Sequence, residues 1–492
     1  MSKYKVIDLE VKKDRQKKAV QRAKDRGIII PTFEQMKNPE LVPNDIKSQL
    51  KNVGLWDINP LNLFRITWNN QPKESGGLFG DVNYVEIPKE ITGIKARVIA
   101  LSGKWFPTGA HKVGAAFGCL VPRLITGQFD PTTQKAVWPS TGNYCRGGAY
   151  DSTLLACESI AILPEGMSKE RFDWLNSVAG ETIKTPGTES NVKEIFDKCW
   201  ELRNSGEDLM IFNQFDEFGN YLWHHEVTGY AIEHVLNEVM DENSNYHGLI
   251  SATGSGGTIA AGDYLKKIYP KSKIAAAEAL QCPTIYQNGF GAHRIEGIGD
   301  KHIPWIHNVK NTDMAIAVDD EIAMRWIRMF NEKEGIELLR QKGVKQPFID
   351  KLDWVGISGA ANVIAAIKYA KYYELNENDV VVTILTDSME MYQSRIEELN
   401  QEEGPFDKFA AHETNARYFD GINIDYVKEL NYYDRKAVHN LKYYTWVEQQ
   451  GKTYEEIMAQ WEDDSYWTDI PKQVGKLDEL IVEFNKKVAE LG

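Results

Sequence analysis

Cysteine is scarce in this chain of 492 residues: there are five, an odd number, and no two form a Cys-x-x-Cys pair. That argues against a disulfide framework and against a thiolate zinc site, and it points to a reducing compartment. An excess of positive charge is also absent, because 57 Lys and Arg stand against 71 Asp and Glu, a net charge of −14. Such a balance is the wrong one for neutralising nucleic-acid phosphates or anionic lipid, although a local anion site remains compatible with it. No long apolar run occurs, the longest branched stretch being Val380 to Leu385, far short of a membrane span. Met1 to Val20 lacks a signal-peptide core and mixes Asp8, Glu10 and Asp14 with its lysines. The expectation is a cytoplasmic protein that binds neither nucleic acid nor membrane.

What is present is an ordinary globular composition, 42% hydrophobic and 26% charged. Residues 1–95 are charged and then loop-rich, and are read as an N-terminal extension. From 96 to 400, short apolar runs end in Gly/Ser/Thr clusters and pass into helical periodicity, the pattern of strand–loop–helix units in an α/β fold with parallel sheets. Residues 401–492 are acidic and rich in Tyr and Trp, and are read as a helical C-terminal extension for packing or for a subunit interface.

Four loops in the middle region carry chemistry. Gly109-Ala110-His111-Lys112 presents a lysine at the start of an apolar helix, where apolar walls and the helix N-terminus lower an amine pKa and favour Schiff-base chemistry. The run Gly114, Ala115, Ala116 is expected to let that helix approach a ring closely. Taken alone, Lys112 reads more readily as a solvated surface group, as most lysines are. Thr253-Gly254-Ser255-Gly256-Gly257-Thr258 before a helix is a plausible phosphate cup, with converging backbone N–H groups and two hydroxyls, but it is also a plain tight turn. Ser140-Thr141-Gly142-Asn143 and Thr386-Asp387-Ser388 are unremarkable loops in isolation.

Their order is not. A lysine at a loop–helix junction, a Ser-Thr-Gly-Asn loop, a glycine cup and a serine at a strand end resemble the pyridoxal-phosphate enzymes of the tryptophan-synthase-like fold (fold type II), and in particular the cysteine synthase and cystathionine β-synthase family. Asn213-Gln214-Phe215 and the Gly297-Ile298-Gly299 loop match as well, over about residues 96–400. The resemblance implies two parallel-sheet lobes with the cofactor between them, the smaller lobe spanning approximately 115–240. It makes Lys112 the catalytic lysine that carries pyridoxal 5'-phosphate as an internal aldimine, and Gly254, Ser255, Gly256, Gly257 and Thr258 the phosphate cup. Asn143 would bond the ring hydroxyl, Gly297 would lie beside the cofactor and Ser388 would face the pyridine nitrogen. Ser140, Thr141, Gly142 and Gln214 would receive the substrate carboxylate. The reaction implied is β-elimination or β-replacement on a small amino acid through an aminoacrylate, by a lyase or transferase that is expected to be a homodimer.

Departures bear on the substrate. Ala110-His111-Lys112 looks more like tryptophan synthase β, which would bring His111 to the cofactor phosphate, and Tyr144-Cys145-Arg146 replace the usual small residues after the asparagine. Arg146 is expected either to meet a second acid on the substrate or to solvate a helix face, and Cys145 to be inert. Lys104 is expected on an exposed loop. Some twenty residues around Leu338 to Trp354 interrupt segments that the family keeps together, and read either as a segment that shapes or covers the site entrance or as a surface embellishment. His224-His225-Glu226 is not read as a metal site, and no metal is expected. Alternatives are an ammonia-lyase or thiolase-like enzyme acting on threonine, diaminopropionate or an amino-keto acid, and a catalytically silent binding subunit.

Overall fold

The computed structural model describes residues 3–71, 77–189, 191–299 and 301–491. Among them the strands are β1 (Tyr84–Ile87), β2 (Arg97–Ser102), β3 (Lys135–Pro139), β4 (Glu158–Pro164), β5 (Glu181–Thr185), β6 (Leu209–Ile211), β7 (Asn245–Ala252), β8 (Lys273–Ala279), β9 (Met314–Val318), β10 (Asp379–Leu385) and β11 (Val427–Glu429). They form a seven-stranded sheet in the order β1-β2-β10-β7-β8-β9-β11 and a four-stranded sheet in the order β5-β4-β3-β6. The smaller sheet is parallel throughout, and the larger is parallel except at its edges, where β1 and β11 run antiparallel.

Strand β10 shows why the larger sheet forms. Its run Val380-Val381-Val382-Thr383-Ile384-Leu385 is buried at every position, as an inner parallel strand covered on both faces must be. This sheet also extends past residues 96–400, taking β1 and β11 as its edges.

The helices used below are α1 (Lys13–Asp25), α2 (Lys112–Thr126), α3 (Asn143–Leu154), α4 (Lys169–Val178), α5 (Phe218–Trp223), α6 (Ala260–Ile268), α7 (Ile357–Tyr372) and α8 (Val474–Glu490), of which α2 to α6 each follow a strand. Loops after β3, β7 and β10 lead from the carboxyl ends of parallel strands, which is where open α/β sheets bind ligands.

Helix α2 is fixed by close backbone approach. A Cβ on Gly114 would lie 2.1 Å from the Trp223 ring, one on Gly118 2.3 Å from the Gly219 carbonyl oxygen, and one on Gly219 2.0 Å from that of Gly118. Pro122 cannot donate the N–H that would otherwise bond the Gly118 carbonyl, so this oxygen is free to face Gly219. The small residues after Lys112 therefore do not all serve a ligand ring as expected: Gly114 makes room for Trp223.

Other expectations change in the same way. Lys104 is buried and paired with Asp353 and, at 3.2 Å, with Glu390, instead of lying on an exposed loop. The segment Leu338 to Trp354 does not cover an entrance; Leu338, Leu339, Phe348, Ile349 and Leu352 pack into the core on one face of the larger sheet, and Trp354 meets Trp105 edge-on. The C-terminal tryptophans Trp446, Trp461 and Trp467 pack within the chain, whereas Tyr432, Tyr433 and Tyr444 stay exposed. No helix among the described residues is long and apolar enough to cross a membrane.

Gly219→Ala inserts a methyl group between two helix backbones and is expected to lower stability by about 1–3 kcal/mol. Urea unfolding followed by tryptophan fluorescence measures it, and an unchanged midpoint would show that α2 and α5 can separate without loss.

Candidate active site

Two small adjoining cavities open between the carboxyl ends of the strands and share Lys112, Gly254, Ser255, Gly297 and Thr386. The first is also lined by Ser140, Thr141, Asn143 and Gln214. The second runs under the glycine loop and adds His111, Gly256, Gly257 and Thr258. The structure thus gathers twelve of the fourteen residues singled out above. Gly142 and Ser388 are not in either lining.

Lys112 begins α2 with its side chain buried, and its Nζ donates to Ser255 Oγ at 3.0 Å and to Gln214 Oε1 at 3.5 Å. Burial lowers its pKa to about 8, against a smaller opposing pull from Cys119 and Glu189. An amine held there is partly neutral, and so nucleophilic, near physiological pH.

The glycine loop is built for close approach. Gly256 has φ of +74°, and a Cβ on Gly257 would lie 2.0 Å from Asn220 Oδ1. Ser255 Oγ accepts from Lys112 and, at 2.9 Å, from Asn220 Nδ2, which leaves its own proton free to donate. Thr258 is committed differently. His111 Nδ1 lies 3.1 Å from the Thr386 carbonyl and so donates there, while Nε2 accepts the Thr258 hydroxyl at 3.0 Å. Burial, with Lys112 adding to it, lowers the His111 pKa to about 3, so the ring is neutral and orients Thr258 without offering a charge to an anion.

In the Ser-Thr-Gly-Asn loop, Ser140 Oγ accepts from Gln214 Nε2 at 3.3 Å, and Asn143 Nδ2 donates to Asp387 Oδ2 at 2.6 Å. Gly142 has a packing reason: a Cβ there would lie 2.1 Å from Arg171 Nη1. Arg171, on α4, is fully buried and donates to the Thr141 carbonyl at 3.0 Å and to the Tyr392 hydroxyl at 2.6 Å, with Glu296 at 3.0 Å and Asp387 at 3.8 Å. Burial raises the Asp387 carboxyl, opposed chiefly by Arg171.

Arg146 corrects its expectation. It is neither solvated nor in the described lining of the cavities, but fully buried, donating to the Thr108 carbonyl at 2.8 Å with its guanidinium 4.8 Å from the Trp174 ring centre. Cys145 is buried and its thiol is pushed up to about 12, which is unreactive. Sequence reasoning missed Arg171, Glu189, Asp387 and Tyr392.

A phosphorylated pyridine fits what is present. The glycine loop leaves backbone and the Ser255 hydroxyl for a phosphate, Lys112 can condense with an aldehyde, and the Ser388 hydroxyl, fully buried at the end of β10, has no hydrogen-bond partner among the described residues.

Known proteins agree with that chemistry. A family model described as pyridoxal-phosphate dependent enzyme matches residues 103–339. A cysteine synthase of Staphylococcus aureus (strain Mu50) is 31% identical over 291 residues, 58% of this chain and 84% of the relative. The chain belongs to the pyridoxal-phosphate-dependent enzyme family. A probable cysteine synthase of Bacillus subtilis is 28% identical over 318 residues, 64% of this chain and 94% of the relative. Among solved structures, the O-acetylserine-dependent cystathionine β-synthase of Helicobacter pylori superposes with a TM-score of 0.53 at 23% identity, covering 64% of this chain and 95% of that one. A hydrogen sulfide-producing enzyme of Fusobacterium nucleatum gives 0.54 at 24%, covering 64% and 97%. These likenesses show the tryptophan-synthase-β-like fold, and this pyridoxal-phosphate-dependent enzyme carries additional chain at both ends.

Because the neutral Lys112 amine is the reactive form and its pKa is lowered from 10.5 to about 8, attachment of added pyridoxal phosphate to cofactor-free protein is expected to speed up as pH rises through about 8. Stopped-flow absorbance measures it. A rate still climbing toward the ordinary lysine pKa would show that Lys112 is solvated in the cofactor-free state.

Proposed function

We propose that this enzyme catalyses β-elimination or β-replacement on a small amino acid bearing a β-leaving group. The carrying observation is the placement of the buried Lys112 amine between the glycine loop and the Ser140–Gln214 pair, within one cavity. When bound, pyridoxal phosphate supplies an electron-withdrawing ring that acidifies the substrate α-hydrogen.

The chain's own residues would do the rest. Gly254 to Thr258 would hold the phosphate through backbone N–H groups, helped by the free Ser255 proton and by the N-terminus of α6. Asn143 and Gly297 would lie beside the ring, with His111 keeping Thr258 in place. Ser140, Thr141 and Gln214 would receive the substrate carboxylate, setting the α-hydrogen toward Lys112. Lys112 would take that proton at Nζ, and its lowered pKa suits it to a general base. Ser388, whose buried hydroxyl has no partner among the described residues, would offer the pyridine nitrogen a neutral group. A hydroxyl withdraws electrons into the ring less strongly than a carboxylate partner would allow, which favours loss of the β-group over transamination. Similarity to cysteine synthases supports the same chemistry.

Borohydride reduction of the holoenzyme is expected to fix the cofactor to the peptide containing Lys112, and Lys112→Ala to lose turnover by roughly 10²–10⁴-fold or more while still binding the cofactor in the cup. Peptide mass and keto-acid release from a panel of β-substituted amino acids check both. A reduced adduct on another lysine would sink the assignment.

The enzyme is further read as a homodimer, because Tyr432, Tyr433 and Tyr444 are 62%, 80% and 59% exposed, and aromatic side chains are enriched at subunit interfaces. Light scattering giving twice the 56.0 kDa chain mass is the expected result, and the chain mass itself would refute it.

A further inference from the structure

The first cavity holds one group that the roles above leave unused. Glu189 follows β5 in the smaller sheet, is 2% exposed, and is the one carboxyl among the described residues lining that cavity. Its Oε1 accepts the Thr141 hydroxyl, and its buried Oε2 makes no well-formed hydrogen bond among the described residues, although the Gly297 N–H also bears on this carboxyl. A carboxyl oxygen buried in a polar pocket without a full hydrogen bond is costly unless a ligand or a proton satisfies it. It shares this wall with Ser140, Thr141 and Gln214, and its charge is felt by Lys112.

The groups around it explain which form it holds. Burial raises the Glu189 carboxyl to about 8; the nearby Arg171 guanidinium, the Thr141 hydrogen bond and the Gly297 backbone N–H oppose that rise, and Glu296 reinforces it. Arg171 is already shared with Glu296 and Asp387, so its charge is not Glu189's alone. The free oxygen therefore carries a proton over much of the neutral range.

We propose that Glu189 is the acid that protonates the β-substituent as it departs, and that the enzyme accordingly accepts amino acids whose β-group is an unactivated oxygen, such as a hydroxyl. The assignment rests on the β-chemistry read above. In the step, Lys112 takes the α-proton, the former Cα–H electron pair becomes the second Cα–Cβ bond, and the Cβ–O bond breaks with its pair going to oxygen. The Glu189 proton joins that oxygen, and water leaves. In replacement, an incoming nucleophile H–X adds at Cβ, its proton returns to Glu189, and the Lys112 proton returns to Cα. The sum is exchange of OH for X with release of water, and neither residue is consumed. Hydroxide is a poor leaving group and needs this proton, whereas chloride leaves without one.

That difference is the test. Glu189→Gln keeps the shape and the bond to Thr141 but has no acidic proton. On the holoenzyme, kcat/KM for L-serine is expected to fall by roughly 10²–10⁴-fold, the range for loss of an acid–base group, while that for β-chloro-L-alanine changes by less than about threefold. Glu189→Asp, which keeps an acid, should retain serine turnover above the Gln variant. A further readout needs no turnover: infrared difference spectra of the cofactor-free proteins at neutral pH, parent minus Gln variant, should show the carbonyl band of a protonated carboxyl. Equal losses on both substrates, equal losses in the Gln and Asp variants, or absence of that band would overturn the assignment. A parent enzyme active on β-chloroalanine but not on serine overturns Glu189 alone, and one inactive on both overturns the β-chemistry and Glu189 with it.

Discussion

The Arg171 guanidinium, taken wholly out of water, is the contact on which the site depends. It comes from the smaller sheet's side and ends among groups of the larger one, Glu296, Asp387 and Tyr392, while also bonding the Thr141 carbonyl. Desolvating a cation costs several kcal/mol, and that cost is offset only where its donors are met. Here the planar fork of arginine meets a carbonyl, a hydroxyl and two carboxylates at once, which the point charge of a lysine could not do. The seam between the sheets is thereby pinned, and the Ser-Thr-Gly-Asn loop is held by the Thr141 backbone as well as by its side chains. Asn143 is tied to the same cluster through Asp387.

A second constraint is how little net charge the cavities keep. His111 is neutral, Lys112 is held near neutrality, and Glu189 favours its protonated form around pH 7. Lys112 and Glu189, both near 8, can each exchange a proton at modest cost, whereas His111 stays neutral and only orients its neighbours. The permanent charges, Arg171 and Arg146, are withdrawn behind the loop, where they shape it.

Much of this was legible in the sequence, because the loop residues sit in short contiguous motifs at strand ends. Lys112, Ser140 to Asn143, Gln214, Gly254 to Thr258 and Gly297 each carry a local signature, and their order identified the fold. Arg171, Glu189 and Tyr392 carry none, and Asp387, though inside the Thr386-Asp387-Ser388 loop, drew no role of its own. Arg171 reads as one more cation on an amphipathic helix, and its importance comes from Asp387 and Tyr392, more than two hundred residues away. Arg146 and Lys104 were misplaced for a related reason: charged residues are solvated by default, and only the fold reveals the partners that let them be buried. Strands β1 and β11 were missed because runs of four and three residues give too short a pattern to separate from loop.

The ends of the described chain close on the same helix. Lys12 donates its N–H to the Thr126 carbonyl at 2.7 Å and Gln16 Nε2 donates to the Ile125 carbonyl at 2.6 Å, so α1 satisfies the last turn of α2. Helix α8 packs against both, and its Asn485 side chain pairs with the Ile30 backbone at 3.0 and 2.7 Å across 455 residues of sequence. Contacts so distant along the chain carry a large loop-closure cost and form late. During synthesis the amino-terminal helix can meet the end of α2 early, but its contacts with α8 form only once α8 has left the ribosome, and the helix that begins with Lys112 gains its full support only then.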